Sequence, residues 1–240
     1  MVVRSPVVAG QFYPGSPDQL RSMIQEMVDE EAVKEEVIGL VAPHAGYMYS
    51  GPVTGATISR VNFKDTFIII GPNHTGGGKP LSIMTEGVWQ TPLGEVEVDS
   101  EMAKKILDEC EYLEEDYRAH QYEHSIEVQI PFLQYFKSDI KIVPIIFGYA
   151  KSDYYKEIGR GIAKALKELN REAVIMASSD MNHYEPQETT QGKDNEAIEA
   201  MLALDEDGLI ERVREFNITM CGYATAVALI TAAKELGAKG

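Results

Sequence analysis

Three of the five histidines in this chain share one local setting. His44 follows the apolar run 37–41, His74 follows 66–70 and His183 follows 173–177. Each run is short, largely β-branched and without period-two alternation, the pattern of a strand buried on both faces of a parallel sheet. Ligands of open α/β sheets bind beyond the carboxyl ends of their strands. If the three runs are parallel neighbours, the three imidazoles meet on one rim. Neutral imidazole is the commonest side-chain metal ligand, and several converging on one point make a metal site. The competing reading is three unrelated surface histidines.

Cys221 offers a further ligand. It follows Thr219-Met220 at the start of a helix, where aligned backbone N–H groups favour thiolate; a buried structural cysteine fits the same residues. For Cys110, on an amphipathic helix, the structural reading is preferred. His124, in Glu123-His124-Ser125 and flanked by Glu127, either points into the pocket as an acid, a base or a donor to substrate, or caps its helix. Asp180 is placed to orient a histidine by hydrogen bonding. His120 is given no role. Gly76-Gly77-Gly78 lacks the lysine-serine ending of a phosphate loop. Ser178-Ser179-Asp180 lacks the strand-turn-helix elbow of a serine hydrolase.

The elements that must position these side chains alternate between strand and helix. Residues 1–15 have no period and are expected to form an extended, ordered arm. Ser16-Pro17-Asp18 starts a helix predicted to reach Ala32. After the strand at 37–41, residues 51–60 predict a small-residue helix packed closely on the sheet. The central strand at 66–70 is closed by Gly71 and Pro72. Leu81–Thr85 and Gly87–Val98 predict a short antiparallel insertion turning at Thr91-Pro92-Leu93-Gly94. Helices are expected at 100–110, from Glu123 to about Phe136, at 152–169, at 193–203 and 205–215, and finally up to Leu236. Strands at 140–147 and 173–177 complete the pattern. The expected fold is a single α/β domain over 1–240, with a mostly parallel central sheet, helices on both faces and a small antiparallel insertion.

Composition narrows the function classes. With 22 basic against 38 acidic residues the formal net charge is −16, which repels a phosphate backbone and argues against nucleic-acid binding. No apolar run approaches the ~20 residues of a membrane span. The first residues lack the layout of a signal peptide, so a cytoplasmic location is expected. Two distant cysteines do not suggest a disulfide framework.

Assembled in order, Ala42-Pro43-His44-Ala45-Gly46-Tyr47, Gly71-Pro72-Asn73-His74, Glu123-His124-Ser125-Ile126-Glu127, Ser178-Ser179-Asp180-Met181-Asn182-His183 and Met220-Cys221-Gly222 resemble the Memo family. The resemblance implies the fold of the class III extradiol ring-cleaving dioxygenases, in which two histidines and a glutamate hold non-haem Fe(II). By that likeness His44 and His74 are the ligating histidines, and Cys221 stands where the glutamate does. His183 is the acid/base or a further ligand, and His124 lines the pocket. Fe(II) is the favoured metal, and the thiolate makes copper or zinc more competitive. The resemblance also implies a functional link to a radical-SAM protein. It leaves two kinds of ligand open: a small-molecule substrate for a metal-dependent redox enzyme, or a phosphotyrosine-type peptide held without turnover. Relatives of this kind continue beyond the last helix with closing strands, so the far edge of the sheet is expected to be incomplete where the chain stops at Gly240.

Overall fold

The computed structural model describes residues 2–239; Met1 of the expected arm and Gly240 lie outside them. Strand β1 (Val3–Arg4) and helix α1 (Pro17–Gln25) lead into β2 (Gly39–Ala42), α2 (Tyr47–Ile58) and β3 (Thr66–Pro72). Then come β4 (Leu81–Ile83), the hairpin β5 (Val88–Thr91) and β6 (Gly94–Val98), α3 (Ser100–Glu109), β7 (Glu114–Glu115) and α4 (Arg118–Gln121). A 3-10 turn at Glu127–Gln129 runs into α5 (Ile130–Phe136), followed by β8 (Lys141–Phe147), α6 (Ser152–Leu169) and β9 (Val174–Ser178). Helices α7 (Gln187–Leu202), α8 (Glu206–Glu215) and α9 (Tyr223–Glu235) follow.

The described strands form one nine-stranded sheet, seven of them in the order β1-β5-β6-β8-β3-β9-β2, with β4 and β7 branching off β8. β2, β9, β3 and β8 are parallel neighbours in turn, and among the described residues only the β5–β6 and β4–β8 pairs are antiparallel. The fold is therefore the expected α/β class. The insertion is no separate hairpin, since β6 continues the sheet in parallel with the start of β8 while β4 pairs with its end. Among the described residues β2 is the last strand on its side.

Helices lie on both faces for a reason of handedness. The β2-to-β3 connection passes over β9, whereas the β8-to-β9 connection passes over β3 in the opposite direction. Parallel crossovers are right-handed in nearly all cases, so α2 and α6 fall on opposite sides. Phe67, Ile68, Ile69 and Ile70 of β3 are fully buried between these layers. Helix α9 lies against β9, β2 and β3 and is flanked by α6 and α8, so Ala224 to Ala233 are all buried. Its small, apolar sequence has no polar face because no face meets water. No helix among the described residues is long and apolar enough to cross a membrane.

Several boundaries depart from the sequence reading. Helix α1 stops at Gln25 rather than Ala32, and Met27 and Val28 both donate to the carbonyl of Ile24 as the chain turns. Helix α2 begins at Tyr47, ahead of the expected 51, and carries Pro52 in its second turn. Helix α7 begins at Gln187 instead of 193. The helix expected from Glu123 starts only at Glu127, because Glu123 turns its carboxylate onto the backbone N–H groups of His124 and Ser125. The two short elements at β7 and α4 carry no periodic pattern and escape sequence analysis altogether. The glycines of α2 permit a close approach, but to the turn after α1: a Cβ on Gly55 would lie 2.2 Å from the Met27 carbonyl oxygen.

This contact makes a stability prediction. Gly55→Ala must displace backbone, at about 1–3 kcal/mol, against a helix-propensity gain of about 1 kcal/mol. Its urea midpoint should fall below that of the parent protein. A midpoint that stayed level or rose would mean that the turn yields freely.

Candidate metal centre

Two of the three parallel strands, β2 and β3, deliver their histidines to one point, where Cys221 joins them. His44 lies in the β2–α2 connection, His74 just past β3, and Cys221 just before α9. Cys221 Sγ is 3.2 Å from His44 Nε2 across 177 positions of sequence. The His44 and His74 ring centroids are 5.1 Å apart, and one ligand atom from each of the three residues falls within 4.8 Å of the others. His44 is buried, while His74 and Cys221 keep partial access to solvent.

The hydrogen-bond partners settle which ring nitrogens carry protons. Ser178 Oγ donates its single proton to the Ser125 carbonyl at 2.6 Å and accepts from Gln129 Nε2 at 3.0 Å. Toward His44 Nδ1, 2.9 Å away, it can then only accept. His44 therefore carries a proton on Nδ1 and turns Nε2 toward Cys221. His74 Nδ1 lies 2.9 Å from Glu123 Oε1, an ionised acceptor, and so donates to it. His183 Nδ1 donates to the Thr219 carbonyl at 2.8 Å. All three rings thus turn Nε2 outward, the arrangement by which histidine ligands are oriented in metal sites.

Glu123 is an anchor for His74 rather than a ligand. Its Oε2 accepts the His74 backbone N–H at 2.6 Å, and its Oε1 accepts those of His124 and Ser125, each at 3.0 Å. With the His74 ring, three bonds fall on Oε1 and one on Oε2, so both oxygens are engaged in positioning. The grouping of His74, Glu123 and His124, whose ligand atoms also approach one another, is accordingly a support for the first cluster.

Charge follows from these contacts. Burial pushes the Cys221 thiol up, but hydrogen bonds with His44 and His74 outweigh it and bring the group down to about 6. Burial disfavours the His74 cation, yet Cys221 and Glu123 together lift it to about 10. Burial likewise works against the Glu123 carboxylate, and the hydrogen bond and charge of His74 overcome it, lowering Glu123 to about 2. His124 is driven down to about 4, chiefly by burial, and is neutral. Without metal the centre is a thiolate beside an imidazolium. Two imidazole Nε2 atoms and a thiolate form a mixed N/S donor set that suits Fe(II), Cu(I) or Zn(II).

The other sequence candidates divide. His124 stacks on His74 at 4.7 Å and meets His44 edge-on at 5.5 Å, so its ring packs against the cluster rather than capping a helix. His183 stands on the rim outside the cluster of three, its Nε2 3.9 Å from Asp180 Oδ2. Asp180 does not orient an imidazole as expected. Its Oδ1 accepts the backbone N–H groups of His44 and Ala45, and its Oδ2 stays 3.9 Å from the His44 ring, beyond hydrogen-bond reach. It positions the loop, and Ser178 orients the ring. Cys110 is buried with its thiol pushed up to about 12, mainly by burial, and is inert. His120 is fully buried, and burial lowers it to about 3, so it is neutral. Ser178 and Ser179 are both buried and committed to hydrogen bonds, which leaves no serine nucleophile.

Sequence reasoning missed Glu123, Ser178 and Gln129 as supports. Only the Glu123-His124 doublet signalled anything, and it pointed to His124. The partner of Glu123 lies 49 positions away, a separation no local pattern reports.

The thiolate predicts a pH profile. In metal-free protein, alkylation of Cys221 by iodoacetamide should reach half its maximal rate near pH 6, because the reactive form is present above that pKa and lost below it. A midpoint between 8 and 9, the range of an unperturbed thiol, would show that the imidazoles do not stabilise the thiolate.

Comparisons with known proteins bear on the whole chain. A family model described as Memo-like protein matches residues 4–240. A MEMO1 family protein of Pyrobaculum aerophilum is 47% identical over 249 residues, covering 99% of this chain and 89% of its own. Another from Methanococcoides burtonii is 47% identical over 239 residues with the same coverage. A third, from Methanopyrus kandleri, is 43% identical and covers 98% of this chain and 88% of its own. The match spans every element that builds the centre, and the chain belongs to the Memo family.

Proposed function

We propose that this protein is a metal-dependent redox protein that holds iron or copper through His44, His74 and Cys221 and acts on a small substrate. The observation that carries the reading is the coincidence of two outward Nε2 atoms, each fixed by a hydrogen bond behind it, with the Cys221 sulfur 3.2 Å from that of His44. A structural cysteine needs no such backing, and a hydrolytic one needs no second imidazole. Iron is the metal the dioxygenase-like fold suggests. Thiolate softness favours Cu(I) or zinc.

A bound redox metal would supply one-electron chemistry or activation of O2. The protein's own residues do the rest. Glu123 holds His74 with Nε2 forward, and Ser178 does the same for His44. His183, with Nε2 free and its ring partly exposed on the rim, is placed to take a proton from a substrate and return it. His124 is neutral and stacked over His74, and offers a ring nitrogen to a substrate hydroxyl. The rival expectation, peptide binding without turnover, requires affinity for a phosphotyrosine peptide that survives metal removal.

Two measurements test this. Purified protein should retain close to one metal ion per chain, and the double variant His44→Ala/His74→Ala should retain none; stoichiometric metal in that variant would end the proposal. Glu123→Gln keeps the shape but weakens the hold on His74, and should lower metal affinity by about 10–100-fold in chelator competition. Unchanged affinity would make Glu123 a folding residue only.

A further inference from the structure

Residues 5–15 make no regular element, yet they run directly beside the centre. They are tied there by one carboxylate. Glu127 is fully buried. Its Oε1 accepts from the Val8 N–H at 3.0 Å and the Tyr13 hydroxyl at 2.6 Å, its Oε2 accepts from the Val7 N–H at 2.9 Å, and it is ion-paired to the buried Arg4. Arg4 spends its remaining donors on the carbonyls of His120 and Glu123 and lies over the Trp89 ring.

This clasp forces a tight turn. Gly10 takes φ +81°, its N–H donates to the Tyr13 carbonyl, and the Gln11 and Phe12 N–H groups both donate to Val8. The turn projects Phe12 toward the pocket. The Phe12 carbonyl accepts the Tyr47 N–H at 2.8 Å, next to the loop that carries His44, and its ring meets the His124 ring edge-on at 4.9 Å.

His124 needs such a contact. Its Nδ1 lies 3.4 Å from Glu123 Oε1, an oxygen already accepting three shorter N–H bonds. No strong hydrogen bond therefore sets its ring. Three rings among the described residues pack against it, those of His74, His44 and Phe12, and of these Phe12 comes from outside the histidine cluster.

We infer that Phe12 is a positioning residue for His124, held in register by Glu127, so that the N-terminal arm forms a wall of the site. The inference deepens the metal-centre reading and rests on it only for the use to which His124 is put; the positioning itself is testable on metal-free protein. Ring signals of 15N-histidine-labelled, metal-free protein should be recorded for the parent, Phe12→Ala, Phe12→Tyr and Glu127→Gln, with His124→Gln assigning the peak. In Phe12→Ala the His124 ring protons should lose the ring-current shift of the phenyl group and broaden. The His183 signals should stay in place, and Phe12→Tyr should restore the parent spectrum. Glu127→Gln should reproduce the alanine spectrum; because it strands a buried guanidinium and can unfold the chain, Phe12→Ala, at a half-buried position, decides the matter alone. His124 signals that move no further than those of His183 in Phe12→Ala would overturn the inference, whether or not the protein binds metal.

Discussion

The centre depends on three parallel strands ending in step. Val41 of β2 is paired with Ala177 of β9, and Ala177 with Ile70 of β3. One row of backbone hydrogen bonds therefore aligns the exits that lead to His44, Asp180 and His74. A shift of one residue in either register would turn every side chain of the strand to the opposite face and carry its histidine away. Burial of both faces of β3 makes such a slip costly, so the packing that stabilises the sheet also places the ligands.

Above the strand ends, buried polar groups do the finer positioning. Glu123 and Glu127 are both fully buried carboxylates in one short segment; Glu123 is compensated by the His74 ring and the N–H groups of His74, His124 and Ser125, and Glu127 by Arg4, the Tyr13 hydroxyl and the N–H groups of Val7 and Val8. A buried charge is tolerable only when it is paired and hydrogen-bonded, so neither can shift without losing several partners at once. The segment 123–129 consequently acts as a rigid bracket. One end fixes His74, the other fixes the arm, and Gln129 reaches across to Ser178 behind His44. The same groups that hold the fold here also hold the tautomers.

The acid-base balance of the cluster has the same sign as that of the chain as a whole. The formal charge of −16 already counts Glu123, and the cluster adds the Cys221 thiolate beside one imidazolium. The charge pairing is local: His74 lies between the carboxylate and the thiolate and is raised by both. A cation replacing its Nε2 proton would meet a thiolate already formed and a ring already oriented. Little reorganisation is left for the ligands, which is how a preformed site lowers the cost of binding.

The strands, their burial on both faces and the histidines at their ends were legible in the sequence, because uninterrupted β-branched runs closed by glycine and proline report a local preference that the fold keeps. The motif set likewise sufficed to mark the family, since it depends on residue types in order. Contacts across space were not legible. Asp180 was expected to hold a ring and instead holds the backbone of His44, because the β9 exit brings its carboxylate under the neighbouring loop. Helices α1 and α7 were misjudged at their ends, where tertiary contacts rather than propensity decide where a helix stops or starts. The pairing of Glu123 with His74, of Ser178 with His44 and of Phe12 with His124 joins residues 49 to 134 positions apart, or across the arm. Residue type and spacing determined which candidate ligand groups this protein carries; strand register and buried hydrogen bonds decided which nitrogen of each histidine faces the cluster, because a side chain's direction is set by neighbours that only folding supplies.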